Sequence, residues 1–158
     1  VGYDLFCNRP ILDQEDITIG EEVAVIGYPL GLSHHRSYYP LIRSGTIATQ
    51  IGEELEDTVI ENGVPRSRIL RGFLIDGGII PGSSGSPVVL KPVIGRVNRK
   101  TSSIKMGTPS PFLLGIIAET HYAPIRTGQE DIIPSFAGLG LAFDAETVRE
   151  TIELFFTA

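Results

Sequence analysis

Apolar and polar positions alternate along this chain in short β-rich runs separated by Gly, Pro and Asn. The first run, "EEVAVIGY" (21–28), is apolar and rich in β-branched residues, and the "PLGL" that follows ends it with a Pro and a Gly. "LIRSGTIATQ" (41–50) alternates loosely around Gly45, the pattern of a strand with a bulge or bend. "ILRGFLID" (69–76), "SPVVLK" (86–91), "LLGIIAE" (113–119) and "GLGLAF" (138–143) complete six strand candidates. The acidic stretch "IGEELEDTVIENGVPRS" (51–67) reads as a solvated excursion with an Asn-Gly turn, and 92–111 as a mobile, solvated hairpin extension.

A helical period shows in one place, "DAETVRETIELFF" (144–156). Asp144 suits the N-cap, Glu146 suits the positive end of the helix dipole, and Val148, Ile152 and Phe155 or Phe156 share a face. Six short strands followed by one amphipathic helix predict an all-β fold, a small closed six-stranded β-barrel with a C-terminal α-helix packed on it.

Composition narrows the partners. The chain has 158 residues, 42% of them hydrophobic and 20% charged, which suits one globular domain. A net charge of −6 argues against nucleic acid and anionic membrane, both of which require clustered Lys and Arg. The 92–111 segment holds four of the 13 basic residues and no acid, but no aromatic residues interleave them as in a base-stacking surface. No apolar run reaches the length of a membrane-spanning helix. Cys7 is the one cysteine, so no internal disulfide forms; the compartment stays open, with the cytoplasm favoured. The chain opens on Val1 and its one methionine is Met106, so we expect a larger protein from which an upstream part is missing.

Candidate chemistry centres on "IIPGSSGSPVV" (79–89). A serine nucleophile needs a base to take its proton and convergent N–H donors for the oxyanion that forms. Gly82 and Gly85 flank Ser83–Ser84 and permit the bend that such convergence requires, while Pro81 and Pro87 limit relaxation. Ser84 is then the attacking residue, with the Gly82 and Ser84 amides facing the oxyanion. A nucleophile elbow is excluded, because Ser86 stands where its second glycine belongs and a strand-like run follows. A phosphate-binding P-loop is excluded for lack of a Gly-Lys-Ser/Thr ending. The Cys and three His residues make no recognised metal pattern, and no cofactor is expected.

"FLIDGGIIPGSSGSPVV" (73–89) resembles the active-serine segment of chymotrypsin-type serine peptidases, most of all the bacterial HtrA-type and related trypsin-like domains. "GEEVAVIGYPLGL" (20–32), "IRSGTIA" (42–48), "LLGIIAE" (113–119) and "GLGLAF" (138–143) resemble further segments of that group in the same order, and the terminal helix fits as well. The resemblance covers about residues 20–156. It implies the second β-barrel of a two-barrel fold, with residues 1–19 as the exit from a missing first barrel and 20–158 as the barrel with its helix. It implies a serine endopeptidase acting on polypeptides through an acyl-enzyme.

Residue by residue, the resemblance makes Ser84 the nucleophile and Gly82 an oxyanion-hole donor. Asp4, in "YDLF", is a candidate for the triad aspartate. Gly78 matches the floor of the primary specificity pocket, where the absence of an acid disfavours Lys and Arg and suggests small or medium apolar side chains. Ile117, Ala118 and Glu119 would present an edge strand to an extended peptide, with Glu119 biasing it toward basic residues. Ser83 stands where digestive enzymes keep the aspartate that pairs with a freed N-terminus, so that mode of activation is not expected. The family histidine lies upstream of anything matched here. His34 and His35 read as a solvated loop pair and His121 as a surface residue, none of them in the place of the base. Without a base Ser84 would be almost inert, which leaves a second reading open: a protease-like domain that binds peptides or supports an assembly without turnover. A lone second barrel would also expose its inter-barrel face, which predicts self-association.

Overall fold

The computed structural model describes residues 3–33, 36–61, 64–106, 111–126 and 132–156. Two helices and nine strands make up its regular structure: α1 (Arg9–Glu15), β1 (Glu22–Gly27), β2 (Leu41–Ile47), β3 (Glu54–Glu61), β4 (Val64–Asp76), β5 (Pro87–Leu90), β6 (Gly95–Asn98), β7 (Ser103–Met106), β8 (Leu113–Arg126), β9 (Ile132–Asp144) and α2 (Ala145–Phe156). The protein is mostly antiparallel sheet with a C-terminal helix, and each of the six strand candidates of the sequence overlaps an observed strand, 21–28, 41–50 and 86–91 running past its ends. The main sheet runs β2-β1-β5-β8-β9-β4-β3, and a further pairing of β2 with β4 closes six of these strands into a ring. No described helix is long and apolar enough to cross a membrane.

Alternation explains the inside of the ring. Val23 and Val25 of β1, Ile47 of β2, Phe73 and Ile75 of β4, Val88 and Leu90 of β5, Leu114 and Ile117 of β8 and Leu141 of β9 are almost fully buried. Of the bulge or bend expected at Gly45 there is no bulge: β1 and β2 keep an unbroken register from Glu22↔Thr46 to Gly27↔Leu41. The glycine serves a close approach instead. A Cβ there would lie 2.8 Å from Ile75 Cγ2 and 3.1 Å from the Asp76 carbonyl, where β2 turns from β1 to meet β4.

The acidic 51–67 stretch is not a loop. Most of it is the β3–β4 ladder, in which Glu54 faces Arg71, Asp57 faces Arg68 and Glu61 faces Val64. The pattern hid this strand because its cross-strand contacts include polar ones, the Arg68–Asp57 ion pair and the Ser67–Glu56 hydrogen bond, which leave no apolar stripe to read. The expected turn at Asn62-Gly63 lies outside the described residues.

The 1–19 segment enters the same core through Cys7, Leu12 and Ile17. Asn8 caps α1 by accepting from the Ile11 amide at 3.0 Å, and Asp16 ends the helix in a left-handed conformation. Within 92–111, β6 and β7 pair as a hairpin, as expected, but it is tied down and not mobile and solvated throughout. Arg96, 7% exposed, lies 3.1 Å from Glu21 and donates to the Glu15 carbonyl; the Arg99 amide donates to Asp16, and Lys100 meets Asp13 at 3.0 Å. Acids thus pair with two of the basic side chains of the run, Arg96 and Lys100. Asp144 caps α2 by accepting from the Thr147 amide at 2.7 Å, as expected. Val148 and Ile152 turn toward Ile116 and Phe143, lining an apolar groove with them, while Leu154, Phe155 and Phe156 stand exposed.

Cys7 is chemically quiet. Burial pushes its thiol up to about 12, against the opposing pull of Arg96. Ellman's reagent should find no thiol in the native protein at pH 8 and one after denaturation; prompt native reaction would show that the segment opens. Because folding raises this pKa above the ordinary 9.0, the stability it contributes is complete below about pH 9 and is lost as pH climbs toward 12.

Candidate functional site

The Gly-Ser loop lies between the end of β4 and the start of β5, two strands that are not neighbours in the ring. Gly82 has φ +84° and Gly85 φ +83°, so both glycines occupy the left-handed region that a side chain disfavours. Two turns result. The Ser83 amide donates to the Ile80 carbonyl at 3.2 Å, and the Ser86 amide to the Ser83 carbonyl at 3.0 Å. Among the described residues, the amides of Gly82 and Ser84 donate to no backbone acceptor.

The three serines separate by exposure. Ser83 and Ser86 are buried, while Ser84 is exposed and donates its hydroxyl to the Ala118 carbonyl at 2.9 Å. The loop is pinned on both sides of this bond. The Gly85 amide donates to the Ile117 carbonyl at 2.8 Å, and the Ile117 amide to the Ser86 carbonyl at 2.9 Å. The structure therefore brings Ser84, Ile117 and Ala118 together.

A second clamp comes from the "GYPLG" turn after β1. Pro29–Gly31 forms a tight turn with Leu30 in the left-handed region at φ +57°, and the Leu30 amide donates to the Pro81 carbonyl at 3.1 Å. A Cβ on Gly82 would lie 2.6 Å from the Leu30 nitrogen, and one on Gly27 would overlap the Ser86 hydroxyl. These glycines let two backbone segments touch. Sequence reading found the motif but not this docking.

Gly78 lies six residues before Ser84, at φ +58°. It belongs to a chain of amides, Gly77, Gly78 and Ile79, that converge on the Gly138 carbonyl at 3.2, 2.9 and 3.4 Å. Beside it stands a residue the sequence reading missed. A Cβ on Gly78 would lie 3.2 Å from an Nη of Arg43 on β2. An arginine in a strand carries no motif, so no local signal could have singled it out.

Glu119 is already engaged. Both its oxygens accept from Arg68, at 3.0 and 2.6 Å, and Arg68 also pairs with Asp57 at 2.6 Å. Glu119 first and Asp57 second hold the Arg68 guanidinium more firmly protonated than usual. Asp4 is exposed, in a turn closed by the Phe6 amide donating to Tyr3. Phe6 bridges Leu113 at the start of β8, whereas Ser84 meets Ala118 farther along, about 15 Å of strand away. Asp4 and Ser84 thus attach to different points of β8. His121, also on β8, has a buried Nε2 with no hydrogen-bond partner. His34 and His35 lie outside the described residues. Among the described residues no cluster of His, Cys, Asp and Glu could hold a metal ion.

No protein-family model matches the chain, and no curated protein matches it.

Proposed function

We propose that this domain is the serine-bearing half of a chymotrypsin-type peptidase, its ring of six strands being the second barrel of that fold, and that Ser84 attacks the carbonyl of a polypeptide substrate. One observation carries the reading: Ser84 alone of the loop's three serines faces solvent, between two left-handed glycines, with the Gly82 and Ser84 amides uncommitted to backbone acceptors. Such amides, preorganised beside a hydroxyl, stabilise the oxyanion of acyl transfer. Ile117 does not offer the edge strand expected of it, because β8 lies between β5 and β9 and both backbone groups of Ile117 bond to the Gly-Ser loop. As it stands, the Ser84 proton points at the Ala118 carbonyl, so a base must draw the hydroxyl into a new rotamer before attack. That base would come from a histidine on a partner barrel.

The alternative, peptide binding without turnover, is favoured by the same resting hydroxyl bond. A fluorophosphonate probe on the intact protein distinguishes the two. Stoichiometric labelling that disappears in Ser84→Ala, with the unfolding midpoint unchanged, is the expected result. Failure to label a folded intact protein would leave the binding module as the reading.

A further inference from the structure

We infer that Arg43 makes the pocket beside Gly78 a receptor for an acidic side chain, so that the bound peptide presents Glu or Asp there. The inference rests on the reading of Ser84 as the reactive centre, because that reading makes the Gly78 cleft the place where a substrate side chain enters.

Arg43 is half-buried, on β2 opposite Val25. Its Nη1 is buried and makes no hydrogen bond. Among the described residues the other half-buried or buried cations have carboxylate partners: Arg68 has Asp57 and Glu119, Lys91 has Glu22, Arg96 has Glu21, and Arg149 has Glu146 and Glu153. Arg43 has none. The neighbouring acid along the opposed strand, Asp76, is exposed and pairs through its backbone with Thr46.

A guanidinium with Nη1 out of water and unpaired, and with Nη2 turned toward the Gly78 Cβ position, is poorly satisfied, and a planar carboxylate suits its fork of N–H groups. The surroundings leave space for one. Gly77, Gly78 and Gly138 meet here without side chains, and a Cβ on Gly138 would come no nearer than 3.9 Å to Gly78. The Cβ direction of Gly78 therefore faces a cation and not an apolar wall, and that of Gly138 faces only the Gly78 backbone. This changes the specificity expected from the sequence. A glycine floor alone suggests small apolar side chains, but the arginine would be left unpaired by them, and a site with a buried donor discriminates strongly against ligands that cannot accept.

The experiment uses the intact protein and two short N-acetylated peptides that differ only in their C-terminal residue, Glu or Gln, with binding followed by fluorescence polarisation. The Glu peptide should bind at least about tenfold more tightly. Arg43→Met should remove that difference while keeping the affinity for the Gln peptide, and Arg43→Lys should restore part of it. Equal affinities in the wild type, a preference that survives Arg43→Met, or no binding of either peptide overturns the inference. A Glu preference that depends on Arg43 in a protein whose serine takes no fluorophosphonate would sustain the pocket and remove only the peptidase reading.

Discussion

Gly115→Ala should destabilise the domain by about 3 kcal/mol or more, enough to leave a marginal fold largely unfolded at moderate temperature. Gly115 sits mid-sheet on β8, opposite Val88 on one side and Asp144 on the other. A Cβ there would overlap the Phe143 carbonyl oxygen and approach the Phe73 ring to 3.0 Å. Neither neighbour can yield cheaply. Phe143 precedes the Asp144 cap of α2, and Phe73 is the largest fully buried side chain of the core. Urea denaturation should show a midpoint well below wild type at an unchanged slope. A midpoint within error of wild type would mean that β8 and β9 do not meet as closely as the structure has them.

The reach of the sequence follows from what each element uses to hold itself. The strands β1, β2, β5, the second half of β4 and the inner parts of β8 and β9 alternate around buried Val, Ile, Leu and Phe, and such alternation is visible without coordinates. The helix α2 announced itself through Asp144 and its period. Strand β3 did not, because Glu54, Asp57 and their arginine partners look like solvated sequence until the partner strand is known. The short helix α1 escaped for a related reason: it has Asn8 to start it but one buried residue, Leu12, so its periodic signal is weak. At the candidate site, Gly82 and Ser84 could be read from the loop itself because a loop with two left-handed glycines must be written in glycine, whereas Gly78 was singled out only through the family resemblance. Arg43 could not. Its significance depends on which strand lies beside Gly78, and that is decided by the closure of β2 onto β4, far away in sequence.

Gly82→Ala should separate the loop's chemistry from the domain's stability. In the wild type φ at Gly82 is +84°, and the alanine methyl would press on the Leu30 nitrogen at 2.6 Å, a backbone atom that itself donates to Pro81. Either the turn shifts or the loop does, and both move the Gly82 amide. If that amide helps to stabilise an oxyanion, fluorophosphonate labelling should slow by about a hundredfold or more, the effect of losing one such donor. Hydrogen exchange at the Leu30 amide should accelerate as its bond to Pro81 opens. Gly85→Ala is the matched control. Its φ of +83° carries the same backbone strain, of about 1–2 kcal/mol, but its Cβ would meet nothing within 4 Å. The control should therefore show the strain part of the stability loss without the part due to the clash, a far smaller loss of labelling and no change at Leu30. If the two variants slow labelling equally, strain in the loop accounts for the effect, and the contact between the "GYPLG" turn and Gly82 has no part in placing the amide.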